Sequence, residues 1–284
     1  MTDGIICLDG ARKSDQRVAA LGGGIFIAYT CPSPDKETEN EDTVAVFPYG
    51  PQATVLIVAD GAGGLPAGKR ASLAAVRTLI ESLHSAIAEM MLLRTAVLNG
   101  IEAANVAVQD LGNGSATTLT VVTIEGLTVR AYHIGDSEAM VVGQRGLIKL
   151  QTTAHSPTGF AVEAGFLDER EALHHAERHL VSNFLGMGDM RIDVGAELEL
   201  RPRDTILLAS DGLMDNVHVD EIVERIRKGP LDAAAERVIS LANRRMAGAL
   251  AGQPSKPDDL SLILFRKPAR PATISDINLI KSNS

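Results

Sequence analysis

The chain of 284 residues has no tryptophan, and only six phenylalanines and three tyrosines. Its core must be filled by Leu, Val, Ile and Ala, and an apolar fraction of 45% is ample for that. Cysteine is scarce too: Cys7 and Cys31 are the only two, without the paired spacing of a metal site. That argues against a disulfide framework and for a reducing cytoplasm. Basic residues are in deficit, with 27 Lys and Arg against 36 Asp and Glu, a net charge of −9. A nucleic-acid partner is not expected, because its phosphates need a basic footprint. No apolar run nears the roughly 20 residues of a membrane span. The N-terminus lacks the basic-then-apolar order of a signal peptide. No membrane association is expected, and no repeat or long linker divides the chain.

What the chain does have is acidic residues set against apolar runs. Thr54-Val-Leu-Ile-Val-Ala-Asp60 ends in a carboxylate, and Gly61, Gly63 and Gly64 follow at once. Val55 to Val58 do not alternate in polarity, so the run reads as a strand buried on both faces. Three other acidic groups recur: Glu41-Asp42, Asp211 after Ile206-Leu-Leu-Ala-Ser, and Asp258-Asp259 before Leu-Ser-Leu-Ile-Leu. One such Asp-Gly reads most simply as a helix cap. Several strand-end carboxylates in one domain would repel each other unless cations hold them together. Their hard oxygens select Mg or Mn rather than Zn.

Periodicity places these groups on elements. Short strands are expected over residues 25–29, 44–47 and 55–58. Two amphipathic helices follow, carried by Val76, Leu79, Ile80, Leu83 and Ile87, then by Leu93, Val97, Ile101, Ala104 and Val108. The period then switches to two, over 118–124, 127–134, 139–142 and 147–150, with tight turns that imply antiparallel pairing. A polar, His-rich stretch of about 155–190 reads as a flap, with helical character around 169–184. Strands at 192–200 and 205–209, helices at 220–227 and 231–246 and a strand at 260–265 complete the pattern. Residues 1–23 have no clear pattern, and 267–284 form a polar tail. The expected fold class is α+β.

Gly63-Gly-Leu-Pro-Ala-Gly68-Lys69-Arg70 offers a rival reading as a phosphate-binding loop, which would make the chain an ATPase. Arg70 stands where that loop needs Ser or Thr, Pro66 lies inside it, and hairpins follow instead of strand-helix-strand units.

Six segments in order carry a broader resemblance. They are Asn40-Glu41-Asp42; Val58-Ala-Asp60-Gly61-Ala-Gly63-Gly64 with Gly68 and Ala71-Ser72; Ser115-Ala-Thr117-Thr118; His133-Ile-Gly135-Asp136-Ser137; Leu207-Leu-Ala-Ser210-Asp211-Gly212-Leu213; and Asp258-Asp259-Leu-Ser-Leu. Over residues 24–266 the chain resembles the PPM family of metal-dependent Ser/Thr protein phosphatases, the 2C type, in its bacterial form. The resemblance implies a four-layer α-β-β-α sandwich with two central antiparallel sheets. It implies hydrolysis of phosphoserine or phosphothreonine on a protein substrate by a metal-activated water, with two Mn or Mg ions and a third. Asp42, Asp60, Asp211 and Asp258 would be the catalytic carboxylates. Asp60 would bridge two metals, the Gly61 carbonyl would hold one of them, and Asp211 and Asp258 would complete the shell of the other. Glu41 and Asp42 would act through metal-bound water, and Asp136 would serve the third metal.

The chain departs from this pattern in places. Glu37 stands where an Arg usually clamps the substrate phosphate, leaving Lys36, Lys69 or Arg70 as substitutes. Glu138 replaces an Arg, and Asp259 replaces an Asn. A pseudophosphatase that binds a phosphoprotein without turnover is the alternative these departures favour. His155, His174, His175 and His179 show no ligand spacing and are expected to be solvated or structural.

Overall fold

The computed structural model describes residues 4–9, 12–34, 36–62, 67–112 and 114–268. In chain order the strands are β1 (Ile6–Leu8), β2 (Asp15–Leu21), β3 (Gly24–Cys31), β4 (Thr43–Tyr49), β5 (Ala53–Ala59), β6 (Gly61–Ala62), β7 (Ala116–Thr117), β8 (Leu119–Glu125), β9 (Thr128–Ile134), β10 (Glu138–Val142), β11 (Ile148–Gln151), β12 (Asp193–Val194), β13 (Leu198–Glu199), β14 (Thr205–Ala209) and β15 (Leu260–Arg266). The helices are α1 (Ala67–Ala88), α2 (Leu93–Gln109), α3 (Pro157–Glu163), α4 (Glu169–Ala172), α5 (Asp211–Met214), α6 (Val219–Ile226) and α7 (Leu231–Met246).

Two antiparallel sheets form the centre. One runs β1-β4-β5-β8-β9-β12, with β13 also on β9; the other runs β11-β10-β14-β15-β3-β2. Three apolar cores separate four layers. Between the sheets lie Phe26, Val44, Val46, Leu56, Val58, Ile206, Leu208, Ile263 and Phe265. Val55 and Ile57 point the other way, against Leu79, Leu83, Val97 and Ile101 of α1 and α2. Ile27, Leu207, Leu262 and Leu264 meet Ile222, Ile226, Val238 and Ala242 of α6 and α7. The unbroken apolar run of residues 55–59 within β5 is thus explained: its alternate residues feed two different cores.

Two parts differ from expectation. Residues before 24 supply two strands: β1 pairs with β4 at the edge of one sheet, and β2 pairs with β3 at the edge of the other. β1 is three residues long and β2 mixes polar with small residues, so their pairing rests on backbone bonds to strands already formed. In the flap, helix forms earlier and in shorter pieces than periodicity implied. Ser156 caps α3 by accepting from the Gly159 amide at 2.9 Å, and Asp168 and Glu171 form a capping box on α4. Residues 173–184 are turns and coil, and 192–200 holds only the two-residue strands β12 and β13. The polar tail from residue 269 onward lies outside the described residues.

Candidate metal centre

Antiparallel pairing gathers the acidic groups at one end of both sheets. Thr43 pairs with Ala59, so Asp42 and Asp60 flank adjacent strand ends. Ala209 pairs with both Leu262 and Glu138, which brings Asp211, Asp258 and Asp136 to the corresponding end of the second sheet. All seven positions singled out from the sequence, Glu41, Asp42, Asp60, Gly61, Asp136, Asp211 and Asp258, belong to this end.

Several are held by neighbours that leave an acceptor oxygen free. The Asp60 carbonyl accepts from the Thr118 amide and the Thr117 hydroxyl, both at 2.8 Å, and its amide donates to Thr118 Oγ1 at 3.0 Å. That backbone grip belongs to Thr117 and Thr118, which sequence alone did not define. Gly61 and Gly68 pack so closely that a Cβ on Gly61 would lie 2.2 Å from the Gly68 carbonyl oxygen, and one on Gly68 would lie 2.6 Å from Glu41 Oε1. Only glycine lets α1 approach the Asp60 turn so closely. The remainder of that turn, Gly63 to Pro66, lies outside the described residues. Asp42 is fully buried; its Oδ2 accepts from Ser210 Oγ at 2.9 Å. Asp211 Oδ2 and Asp258 Oδ2 face Lys256 Nζ at 2.5 and 3.4 Å.

The carboxylates act on one another through charge. Burial raises the Asp60 carboxyl well above its usual range, and Asp42, Asp211, Asp258 and Asp136 push it further. Burial and then its acidic neighbours raise Asp42 and Asp136 likewise. Asp258 is pushed up to about 7 and Asp215 to about 6, in both cases by burial first and Asp211 next. Glu41 Oε1, Asp42 Oδ1 and Asp211 Oδ1 are buried without a hydrogen-bond partner among the described residues. Among those residues no three acidic, His or Cys side chains close on a single point. The donor set is all oxygen and lines a space instead of forming a tight chelate. It therefore fits a hard divalent ion that keeps part of its water shell.

Several neighbours were not visible in the sequence. Lys256 bridges Asp211, Asp258 and Asp215, the last at 2.8 Å. Asp259 turns away from the space: it accepts from the amides of Ser33 and Glu41, at 2.8 and 2.7 Å, and from Lys36 Nζ at 2.6 Å. Lys36 also donates to Glu41 Oε2 at 2.7 Å, so it is engaged and does not stand in for the missing phosphate clamp. Glu37 and Arg70 are exposed. Lys69 Nζ is buried without a partner among the described residues, and burial lowers its pKa.

Beside the centre, a cleft of about 530 Å³ opens between the flap, β10 and α5 and shares Asp136, Asp211 and Asp215 with it. Glu138 lies in this cleft, pushed up to about 7 by burial, and accepts from Gln151 Nε2 at 3.1 Å. His155 is structural. Its Nδ1 accepts from the Gly135 amide and Asn183 Nδ2 at 3.1 and 2.8 Å, and its carbonyl accepts from the Ser182 amide at 2.8 Å, tying both ends of the flap to the Asp136 turn. All the strand pairs described are antiparallel, and among the described residues nothing favours the phosphate-binding-loop reading.

The chain is similar to known proteins. The profile of the family described as "Protein phosphatase 2C" matches residues 35–251. A putative protein phosphatase 2C-type of Streptococcus pyogenes is 32% identical over 218 residues, 74% of this chain and 88% of that protein. The solved serine/threonine phosphatase of S. agalactiae superposes with a TM-score of 0.70 at 26% identity, covering 89% of this chain and 99% of that one. The catalytic domain of the phosphatase PstP, solved in complex with 2 manganese ions, superposes at 0.63 with 24% identity, over 92% of this chain and 98% of that one.

Proposed function

Given that this chain belongs to the protein phosphatase 2C family and is a metal-dependent serine/threonine protein phosphatase, we propose that the acidic end of its two sheets holds two Mn or Mg ions. Asp60, the Gly61 carbonyl, Asp211 and Asp258 would hold these ions. Glu41 and Asp42 would orient water beside them, and Asp136 would serve a further ion. The observation that carries this reading is the trio of buried oxygens on Glu41, Asp42 and Asp211 without a partner among the described residues, at the sheet end where Asp42 and Asp211 also act on the charge of Asp60. Bound divalent ions supply a nucleophilic water at neutral pH and Lewis-acid stabilisation of charge on phosphorus-bound oxygens.

The chain's own residues do the positioning. Thr117 and Thr118 fix the Asp60 backbone. Ser210 occupies one oxygen of Asp42, which leaves the other free. Lys36 does the same for Glu41. The substrate is a phosphoprotein of a signalling system. Glu37 offers its phosphate no donor, so the protein surface of the substrate supplies much of the affinity. The proposed compartment is the cytoplasm, consistent with two unbridged cysteines; no helix among the described residues is long and apolar enough to cross a membrane.

The test is manganese-dependent hydrolysis of an aryl phosphate, with ATP binding measured in parallel. Turnover that needs Mn, with at least two ions per chain by calorimetry and no appreciable ATP affinity, is expected. Absence of divalent-ion binding at millimolar Mn would end the metal reading.

A further inference from the structure

Lys256 is mounted with unusual firmness for a lysine beside proposed metal ligands. Its amide donates to Asn216 Oδ1 at 2.7 Å, and its carbonyl accepts from Asn216 Nδ2 at 2.8 Å. Asn216 is fully buried, and its own carbonyl accepts from Arg245 Nη1 at 2.7 Å. Ser255 is tied to the Arg245 carbonyl at 2.8 Å. The backbone at Lys256 is therefore fixed while its four-carbon stem keeps its torsions. The ammonium reaches three carboxylates: Asp211 at 2.5 Å, Asp215 at 2.8 Å and Asp258 at 3.4 Å. Asp211 and Asp258 are proposed metal ligands, whereas Asp215 is not.

We propose that Lys256 is an internal counter-ion of the metal centre, which competes with a divalent ion for Asp211 and Asp258 and retreats onto Asp215 when the ion binds. The inference rests on the metal-site reading above. One ammonium neutralises part of a group of carboxylates that would otherwise repel each other, so it stabilises the protein without metal. The same contacts must be given up to the ion, so Lys256 weakens metal affinity. Asp215 provides the alternative seat that makes the exchange cheap.

Calorimetry with manganese chloride on the full chain tests this, together with melting in the presence of a chelator. Lys256→Met should bind Mn about tenfold more tightly or better, since a hydrogen bond to a charged group no longer has to be broken. It should also melt lower without metal. Asp215→Asn should bind Mn several-fold more weakly, and most of that loss should disappear in the Lys256→Met background, because the two residues act as a unit. A Lys256→Met protein that binds Mn equally or more weakly overturns the proposal. Should that variant not fold without metal, Asp215→Asn decides alone: unchanged Mn affinity overturns it. Failure of the underlying reading looks different, because wild-type protein would then neither bind Mn nor hydrolyse an aryl phosphate.

Discussion

Asp258 and Asp259 are neighbours in sequence and opposites in the structure. Asp259 is almost wholly buried, with a side chain 4% exposed, and two amides and one ammonium occupy its oxygens. Asp258 is 36% exposed; it accepts one amide, from Asp259, at 2.9 Å and has only a long contact to Lys256. A carboxylate whose lone pairs are taken by fixed donors serves as a clamp on the chain. One with spare lone pairs facing other carboxylates is available to a cation. Asp259 thereby fastens Ser33, Lys36 and Glu41 to the start of β15, while Asp258 keeps spare acceptor capacity.

The largest effect should come from the free carboxylates. Asp60→Asn or Asp258→Asn should lower turnover by roughly a thousandfold, on the scale of losing a main electrostatic stabiliser, with an unchanged circular dichroism spectrum. Asp259→Ala should do the reverse, costing about 2–4 kcal/mol of stability because Lys36 loses its buried partner, while Mn affinity measured on the folded protein changes little. The contrast between the two residues breaks if chemical denaturation shows Asp258→Asn to be the more destabilising.

A third test uses pH. The carboxyls of Asp258 and Asp215 lie above their ordinary value of 3.8, at about 7 and about 6. A raised carboxyl contributes stability that is complete below its unfolded pKa and lost as pH rises through its folded pKa. The melting temperature of metal-free protein should therefore fall between about pH 4 and pH 7 on account of these groups. Mn binding should strengthen over the same interval, because the ion takes the ionised form. Melting curves that are flat with and without Mn across that window would contradict the shared-space picture. The smallest effect concerns the clamp: Glu37→Arg should lower the Michaelis constant for an aryl phosphate by about tenfold. An unchanged constant would move attention to Lys69, by Ala substitution.

Much of the site was legible because strand ends announce themselves. An apolar run that stops at Asp60 or Asp211, or starts after Asp259, marks where a rigid element meets solvent, and hairpin turns imply antiparallel pairing. Asp215 and Lys256 could have been suspected from position alone, four residues after Asp211 and two before Asp258. Nothing in one dimension says that they meet. The edge strands β1 and β2 were hidden because partners fix them, not their own pattern, and the flap helices were misplaced because local caps at Ser156 and Asp168 outweighed periodicity.

The sequence by itself determined that a core lies on each face of β5 and which carboxylates stand at strand ends, because the apolar run of residues 55–59 does not alternate and Asp60 and Asp211 each end such a run. Tertiary structure alone decided which carboxylates are free. The donors that saturate Asp259 come from Ser33, Lys36 and Glu41, more than two hundred residues away along the chain. The ammonium that sits among Asp211, Asp215 and Asp258 likewise spans forty-five residues to reach Asp211. Hydrogen bonds act over about 3 Å of space whatever the separation in sequence, so only the folded chain can distribute them.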